Sequence, residues 1–66
     1  MIDKYIGQTV EIIYLDQKGN LSQRKIEAGS IKGDKVKAFC LHQLAPRIFL
    51  IENILAVSPI VKKRFG

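Results

Sequence analysis

A cysteine and a histidine, Cys40 and His42, are the first residues in this chain whose types suggest chemistry. They are the single Cys and the single His of 66 residues, so neither an internal disulfide nor a zinc site of four Cys and His ligands can form. Strand alternation places Cys40 with Val36 and Ala38, which predicts a buried and inert thiol. His42 falls in a loop, as an ordinary loop residue or as a contact to an anion.

Catalytic constellations are absent from the sequence. No Ser-His-acid set has a readable spacing, and no segment resembles a glycine-rich phosphate-binding loop. One histidine and scattered carboxylates supply no acid–base pair with a reason to be tuned. We therefore expect a protein that is not an enzyme and that uses neither a metal nor another cofactor.

Basic residues outnumber acidic ones by eleven to six, which gives a net charge of +5. Such a charge attracts anionic partners over long distances, although plain solubility is the other explanation. Lys35, Lys37 and Phe39 share one face of a predicted strand, and lysines interleaved with an aromatic ring fit phosphate neutralisation and base stacking. The alternative is a solvated strand face, with Phe39 covered by a loop or a terminus.

Two arginines add candidate contacts to an anion. Arg47 follows a proline that restricts the backbone before it, and its planar guanidinium fits two carboxylate or phosphate oxygens. It could instead be a structural arginine paired with Glu27, Asp34 or Glu52. Arg24 shares a strand face with apolar residues, so it must reach the rim of the core or find a partner.

The elements that must position these residues are short strands. β-Branched and aromatic residues between turn signals predict five strands, at residues 9–15, 21–31, 35–41, 47–51 and 55–61. Turns are expected at 16–20 and 32–34, a loop at 42–46, and a single 3₁₀ turn at 52–54. Gly29, inside the second strand, predicts a bulge or bend. The expected fold is all-β, a small five-stranded SH3-like or Sm-like barrel with a 3₁₀ turn before the last strand.

The length of the chain predicts one domain, residues 1–66, with the barrel at about 9–61 and a basic tail at 62–66. The alternation predicts a core of Val10, Ile12, Ile26, Val36, Ala38, Cys40, Phe49, Ile54 and Val57. No apolar run approaches the ~20 residues of a membrane helix, and the first residues do not resemble a signal peptide. Low cysteine usage fits a reducing compartment, so we expect a cytoplasmic protein with no membrane partner.

Three segments carry a family resemblance: IIYLDQKGNLSQRKI, KVKAFC and PRIFLIENILAV. They lie within residues 10–57, and together they resemble the WYL domain of bacterial transcriptional regulators. The resemblance implies an Sm-like SH3 barrel that senses a negatively charged effector, often a nucleic acid. The positions that match the family's polar groove are Tyr14, Arg24 and Arg47.

The sequence also departs from the WYL pattern. The Trp-Tyr-Leu signature would fall on Asp34, Lys35 and Val36, and later family arginines would fall on Leu50 and Asn53. The groove has therefore lost charge where the family concentrates it. These departures suggest a divergent, stand-alone relative with modest affinity, or a degenerate relative that keeps the barrel and has lost the sensing function.

Two functions follow from these observations. The first is a regulatory, non-enzymatic binding module for an anionic ligand, a single-stranded nucleic acid or a phosphorylated small molecule, held by Tyr14, Arg24, Lys37, His42 and Arg47. The second is a protein-interaction or homo-oligomerisation module, with a homodimer formed through a strand edge or an apolar face. Apolar residues on both strand faces, among them Ile13 and Leu41, motivate the second function.

Overall fold

The computed structural model describes residues 2–60 and contains one antiparallel sheet of five strands. The strands are β1 (Thr9–Leu15), β2 (Leu21–Lys32), β3 (Lys35–Cys40), β4 (Ala45–Leu50) and β5 (Ile54–Pro59). Short 3₁₀ segments cover Ile2–Tyr5 and Ile51–Asn53. The strand order is β4-β3-β2-β1-β5. The all-β class is confirmed, and the expected 3₁₀ turn before the last strand begins one residue earlier than predicted.

The fourth strand starts two residues before its predicted start. It begins at Ala45 rather than at Arg47, because its pairing with β3 continues to Ala45 opposite Cys40. Pro46 is accommodated since β4 lies at the edge of the sheet, where a missing N–H can point away from the neighbouring strand. The fifth strand covers Ile54–Pro59 rather than 55–61, and residue 60 is not in a strand. Val61 and the predicted tail 62–66 lie outside the described residues.

A bulge in β2 decides which side chains face outward. Ala28 pairs with Ala38 and Ser30 pairs with Lys37, so Gly29 is an extra residue, as the sequence predicted. A Cβ at Gly29 would lie 2.8 Å from the carbonyl oxygen of Lys37, which explains the need for glycine. The extra residue inverts the alternation of β2. Even-numbered residues face the core before the bulge and face outward after it.

The core lies on one face of the sheet. Buried apolar residues come from all five strands and from the first 3₁₀ segment: Ile2, Val10, Ile12, Ile26, Ala28, Val36, Ala38, Cys40, Phe49 and Ile54. Eight of the nine predicted core residues are confirmed, and Val57 is half-buried against the same cluster. Ile2 and Ala28 were not predicted.

The sheet curls strongly around this core. Strands β1 and β4 are three strand spacings apart in the sheet order, which in a flat sheet would be about 14 Å. The rings of Tyr14 on β1 and Phe49 on β4 nevertheless meet edge to face, with centroids 4.9 Å apart. Among residues 2–60 no ladder joins the two edge strands, β4 and β5. No helix in this range is long and apolar enough to cross a bilayer.

Candidate anion-binding site

The five residues expected to bind a ligand lie on two faces of the sheet. Tyr14 and Arg24 share the parity of the buried residues of their strands, and Arg47 stands opposite the buried Ala38. These three residues therefore belong to the core face. Lys37 stands opposite Ser30 and Ile48 on the outer face, so the structure does not bring it together with the arginines.

His42 lies in the turn 41–44 that joins β3 to β4. It is exposed and lines a shallow depression with Glu11, Gln23, Lys25 and Leu41. Glu11 and Lys25 are cross-strand partners that alternate with core residues, so this depression opens on the outer side of β1 and β2. His42 is thus separated from the core-face residues, and Lys37 is not among the residues that line this depression.

Tyr14 connects two strands, β1 and β4, that are not neighbours in the sheet. Its ring packs on Phe49, and its hydroxyl accepts a hydrogen bond of 3.1 Å from the backbone N–H of Leu50. Both contacts join β1 to the edge strand β4. The tyrosine that matches the family pattern therefore has a structural role, and its hydroxyl hydrogen remains available as a donor.

Arg24 is half-buried at the rim of the core face. Its Nε donates a hydrogen bond of 3.2 Å to the hydroxyl of Ser22.

The surroundings of Cys40 lower the pKa of its thiol. The backbone amide of Gln43 has the largest effect, and burial opposes it. The backbone amide of His42 and the guanidinium of Arg24 lower the pKa further. Cys40 is fully inaccessible, which confirms its predicted burial.

Arg47 is exposed, and its side chain makes no hydrogen bond or ion pair with any residue in the described part of the chain. The structural alternative, a pair with Glu27, Asp34 or Glu52, is therefore not what the structure contains. Its guanidinium is free to meet an anion at the edge of the sheet. It is isolated there, because Lys37 on the neighbouring strand faces the other side.

The outer side of β2 and β3 carries a cluster of three lysines. Lys32 stands directly opposite Lys35, and Lys37 follows two residues later along β3. All three are exposed, and none forms an ion pair within residues 2–60. We call this cluster, Lys32, Lys35 and Lys37, the lysine face.

Apolar and aromatic side chains border the lysine face. A shallow groove of about 250 Å³ is lined by its three lysines together with Ser30 and Ile48. A second groove of about 220 Å³ continues from Lys37 and Ser30 to Phe39, Pro46 and Glu27. Phe39 is 39% exposed, so no described loop covers it. The two grooves place positive charge and an accessible ring side by side.

Sequence reasoning identified Lys35, Lys37 and Phe39 as one outward face but missed Lys32. The residue was assigned to the turn 32–34, and in an unbroken β2 its spacing from Ile26 and Ala28 would place it in the core. The bulge at Gly29 inverts that parity and turns Lys32 outward. The signal was present in the sequence: two lysines flank the short Gly33–Asp34 turn and must face each other across the hairpin.

Comparisons with known proteins identified no relative of this chain. No family model matches the sequence, and neither the search of curated proteins nor the search of solved structures found a match. No three His, Cys, Asp or Glu side chains among residues 2–60 are grouped so that they could hold a metal ion. The candidate site consists of the three unpaired lysines and the neighbouring ring of Phe39.

Proposed function

We propose that the protein is a non-enzymatic binding module for an anionic ligand, a single-stranded nucleic acid or a phosphorylated small molecule, and that the ligand binds at the lysine face. The observation that carries the proposal is the convergence of three exposed lysines without acidic partners on one groove. A ligand sensed in this way would serve a regulatory function, because the site offers binding without a catalytic group.

Electrostatics favour an anion at this position. Like charges directly opposite each other on neighbouring strands destabilise a sheet. Lys32 and Lys35 form such a pair, and Lys37 adds a third charge on the same side. A phosphate group between the ammonium groups would replace this repulsion by charge-assisted hydrogen bonds.

Phe39 distinguishes the two ligand classes, because a nucleic acid would use its ring and a phosphorylated small molecule would not. Outward residues two apart along a strand are about 6.7 Å apart, so Lys35, Lys37 and Phe39 form a row of about 13 Å. A nucleic acid strand would use the whole row, with phosphates at the lysines and a base stacked on Phe39. A phosphorylated small molecule fits the lysine groove alone and would not require the ring.

The fold and family are part of the same proposal. A curled sheet, the strand order and the 3₁₀ turn before β5 support an SH3-like or Sm-like barrel. The resemblance to the WYL domain supports a regulatory role and suggests a different site, on the core face around Arg24 and Arg47. The experiment must therefore compare the two faces.

The test is the binding of a fluorescent single-stranded oligonucleotide, measured by anisotropy at several salt concentrations. We expect Lys35→Ala/Lys37→Ala to weaken binding tenfold or more and to reduce the salt slope by about 1.4, since each phosphate contact to a single strand contributes about 0.7. Phe39→Leu should weaken oligonucleotide binding but leave the binding of inorganic pyrophosphate unchanged.

Lys4→Ala/Lys18→Ala provides the matched control, because it removes the same charge from exposed positions outside the lysine face. If the control pair weakens binding equally, net charge alone explains it. If Arg24→Ala or Arg47→Ala abolishes binding while the lysine variants bind normally, the ligand occupies the core face and our assignment is wrong.

A further inference from the structure

A second outward surface, formed by β1 and β2 with β5 beside them, carries apolar side chains. Leu15 stands opposite Leu21, and Ile13 stands opposite both Gln23 on β2 and Ala56 on β5. Leu21 is 62% exposed. We call the surface made by Ile13, Leu15, Leu21 and Ala56 the apolar face. It lies on the same side of the sheet as the lysine face.

Opposite charges lie at one end of the apolar face. Glu11 and Lys25 stand directly opposite each other, next along their strands from Ile13 and Gln23. Neither forms an ion pair with another described residue. The surface therefore has one acidic and one basic group at the same level, placed on two neighbouring strands.

We propose that the apolar face binds a second copy of the same chain in a two-fold symmetric dimer. The two-fold axis runs parallel to β1 and β2, above the outer face and over the line midway between the two strands. Rotation about this axis places β1 of one subunit opposite β2 of the partner subunit. Glu11 then faces the partner's Lys25, and Lys25 faces the partner's Glu11. Leu15 then meets the partner's Leu21. The surface is complementary to itself, as a two-fold interface requires.

A dimer through the edge of β4 is less favourable. Pro46 has no N–H, and the Leu50 N–H already donates to the Tyr14 hydroxyl. Residues 46, 48 and 50 share one direction in the ladder, so Ile48 supplies the single open outward donor within β4. An edge with one free donor is a poor template for another strand. This contrast favours a contact between faces over a contact through the edge of β4.

Sedimentation velocity over a range of protein concentrations tests the dimer. We expect the parent to dimerise and Leu21→Lys to weaken the dimer at least tenfold. Ile48→Lys is the matched control: Ile48 is 64% exposed, it also lies in a strand, and the substitution adds the same charge outside the apolar face. The proposal is overturned if the parent is monomeric throughout, or if Ile48→Lys disrupts the dimer as much as Leu21→Lys.

The symmetry itself is tested by mixing charge variants. Glu11→Lys and Lys25→Glu each place like charges across the two-fold axis, so each variant alone should shift toward monomer. Mixed in equal amounts, they should form a heterodimer, because one subunit then presents two lysines to the two glutamates of the other. This restoration cannot come from contacts within one chain. A mixture that stays monomeric, as the separate variants do, would contradict the two-fold arrangement.

Discussion

Tyr14 illustrates, at the scale of the residue, how the curl of this sheet is fixed. Its ring contacts Phe49, and its hydroxyl satisfies a backbone donor on the edge strand. An aromatic pair of this kind contributes about 0.5–1.5 kcal/mol beyond its burial. The residue therefore holds β1 and β4 together in a part of the sheet where no backbone ladder joins those two strands.

Removing the Tyr14 hydroxyl should loosen the edge of β4. We expect Tyr14→Phe to lower the free energy of unfolding by about 1 kcal/mol or more, because the part-buried Leu50 N–H loses its acceptor. Hydrogen exchange at the Leu50 amide should accelerate. Tyr5→Phe is the control, since the hydroxyl of Tyr5 makes no hydrogen bond within residues 2–60. Unchanged exchange at Leu50 would show that the contact is unimportant.

Cys40 should be unreactive in the native protein. A thiol reagent needs access to the sulfur, and the residue has no accessible surface, even though its neighbours lower the pKa of the thiol. We expect labelling to be slow without denaturant and to accelerate in urea in step with unfolding. Labelling in buffer as fast as in denaturant would contradict the assignment of Cys40 to the core.

At the scale of the element, the bulge of β2 links the fold to the candidate site. Before Gly29 the even-numbered residues of the strand face the core, and after it the even-numbered residues face outward. The inversion brings Lys32 to the side that carries Lys35 and Lys37. The lysine face thus depends on one glycine that lies outside it.

Gly29→Ala should destabilise the protein by about 1–3 kcal/mol, the usual cost of overpacking. The added Cβ would meet a backbone carbonyl oxygen at 2.8 Å, and backbone cannot yield as a flexible side chain can. Urea denaturation measures the effect. Ser30→Ala, at the neighbouring exposed position, should change stability by less than about 0.5 kcal/mol. A Gly29→Ala protein as stable as the parent would refute the close approach.

The turn 41–44 carries strain at Leu44, whose φ is 55°. A left-handed conformation costs a leucine roughly 1 kcal/mol, and asparagine adopts it more readily. Because Leu44 is 73% exposed, its side chain contributes little burial that could be lost. We therefore expect Leu44→Asn to raise the midpoint of urea denaturation. A lower midpoint would mean that the leucine makes a stabilising contact.

Most of the fold could be predicted from the sequence, because alternation with a period of two reports burial directly. Alternation also predicts the face on which Arg47 lies. Arg47 shares its parity with the buried Phe49, so it lies on the face opposite Lys37. Two features could not be found in this way. Lys32 depends on the parity change at the bulge, and the burial of Ile2 depends on how the first 3₁₀ segment packs on the sheet.

At the scale of the whole molecule, the charged groups of residues 2–60 are unevenly distributed over the outer surface of the sheet. Beyond the bulge, β2 and β3 present three unpaired lysines, whereas before it β1 and β2 present apolar residues, the pair of Glu11 and Lys25, and Glu27. The two surfaces suit different partners, an anion and a second copy of the chain. The two surfaces share no residue, and a dimer through the apolar face would carry two lysine faces.

The most direct test of the account is an NMR titration of the ¹⁵N-labelled protein with a short oligothymidylate and, separately, with inorganic pyrophosphate. We expect amide shift changes to cluster at Ser30, Lys32, Lys35 and Lys37, to extend to Phe39 with the oligonucleotide only, and to diminish as salt is added. Changes that cluster instead around Arg24, Arg47 and Tyr14, or saturable changes at no site, would contradict the lysine face as the anion-binding site.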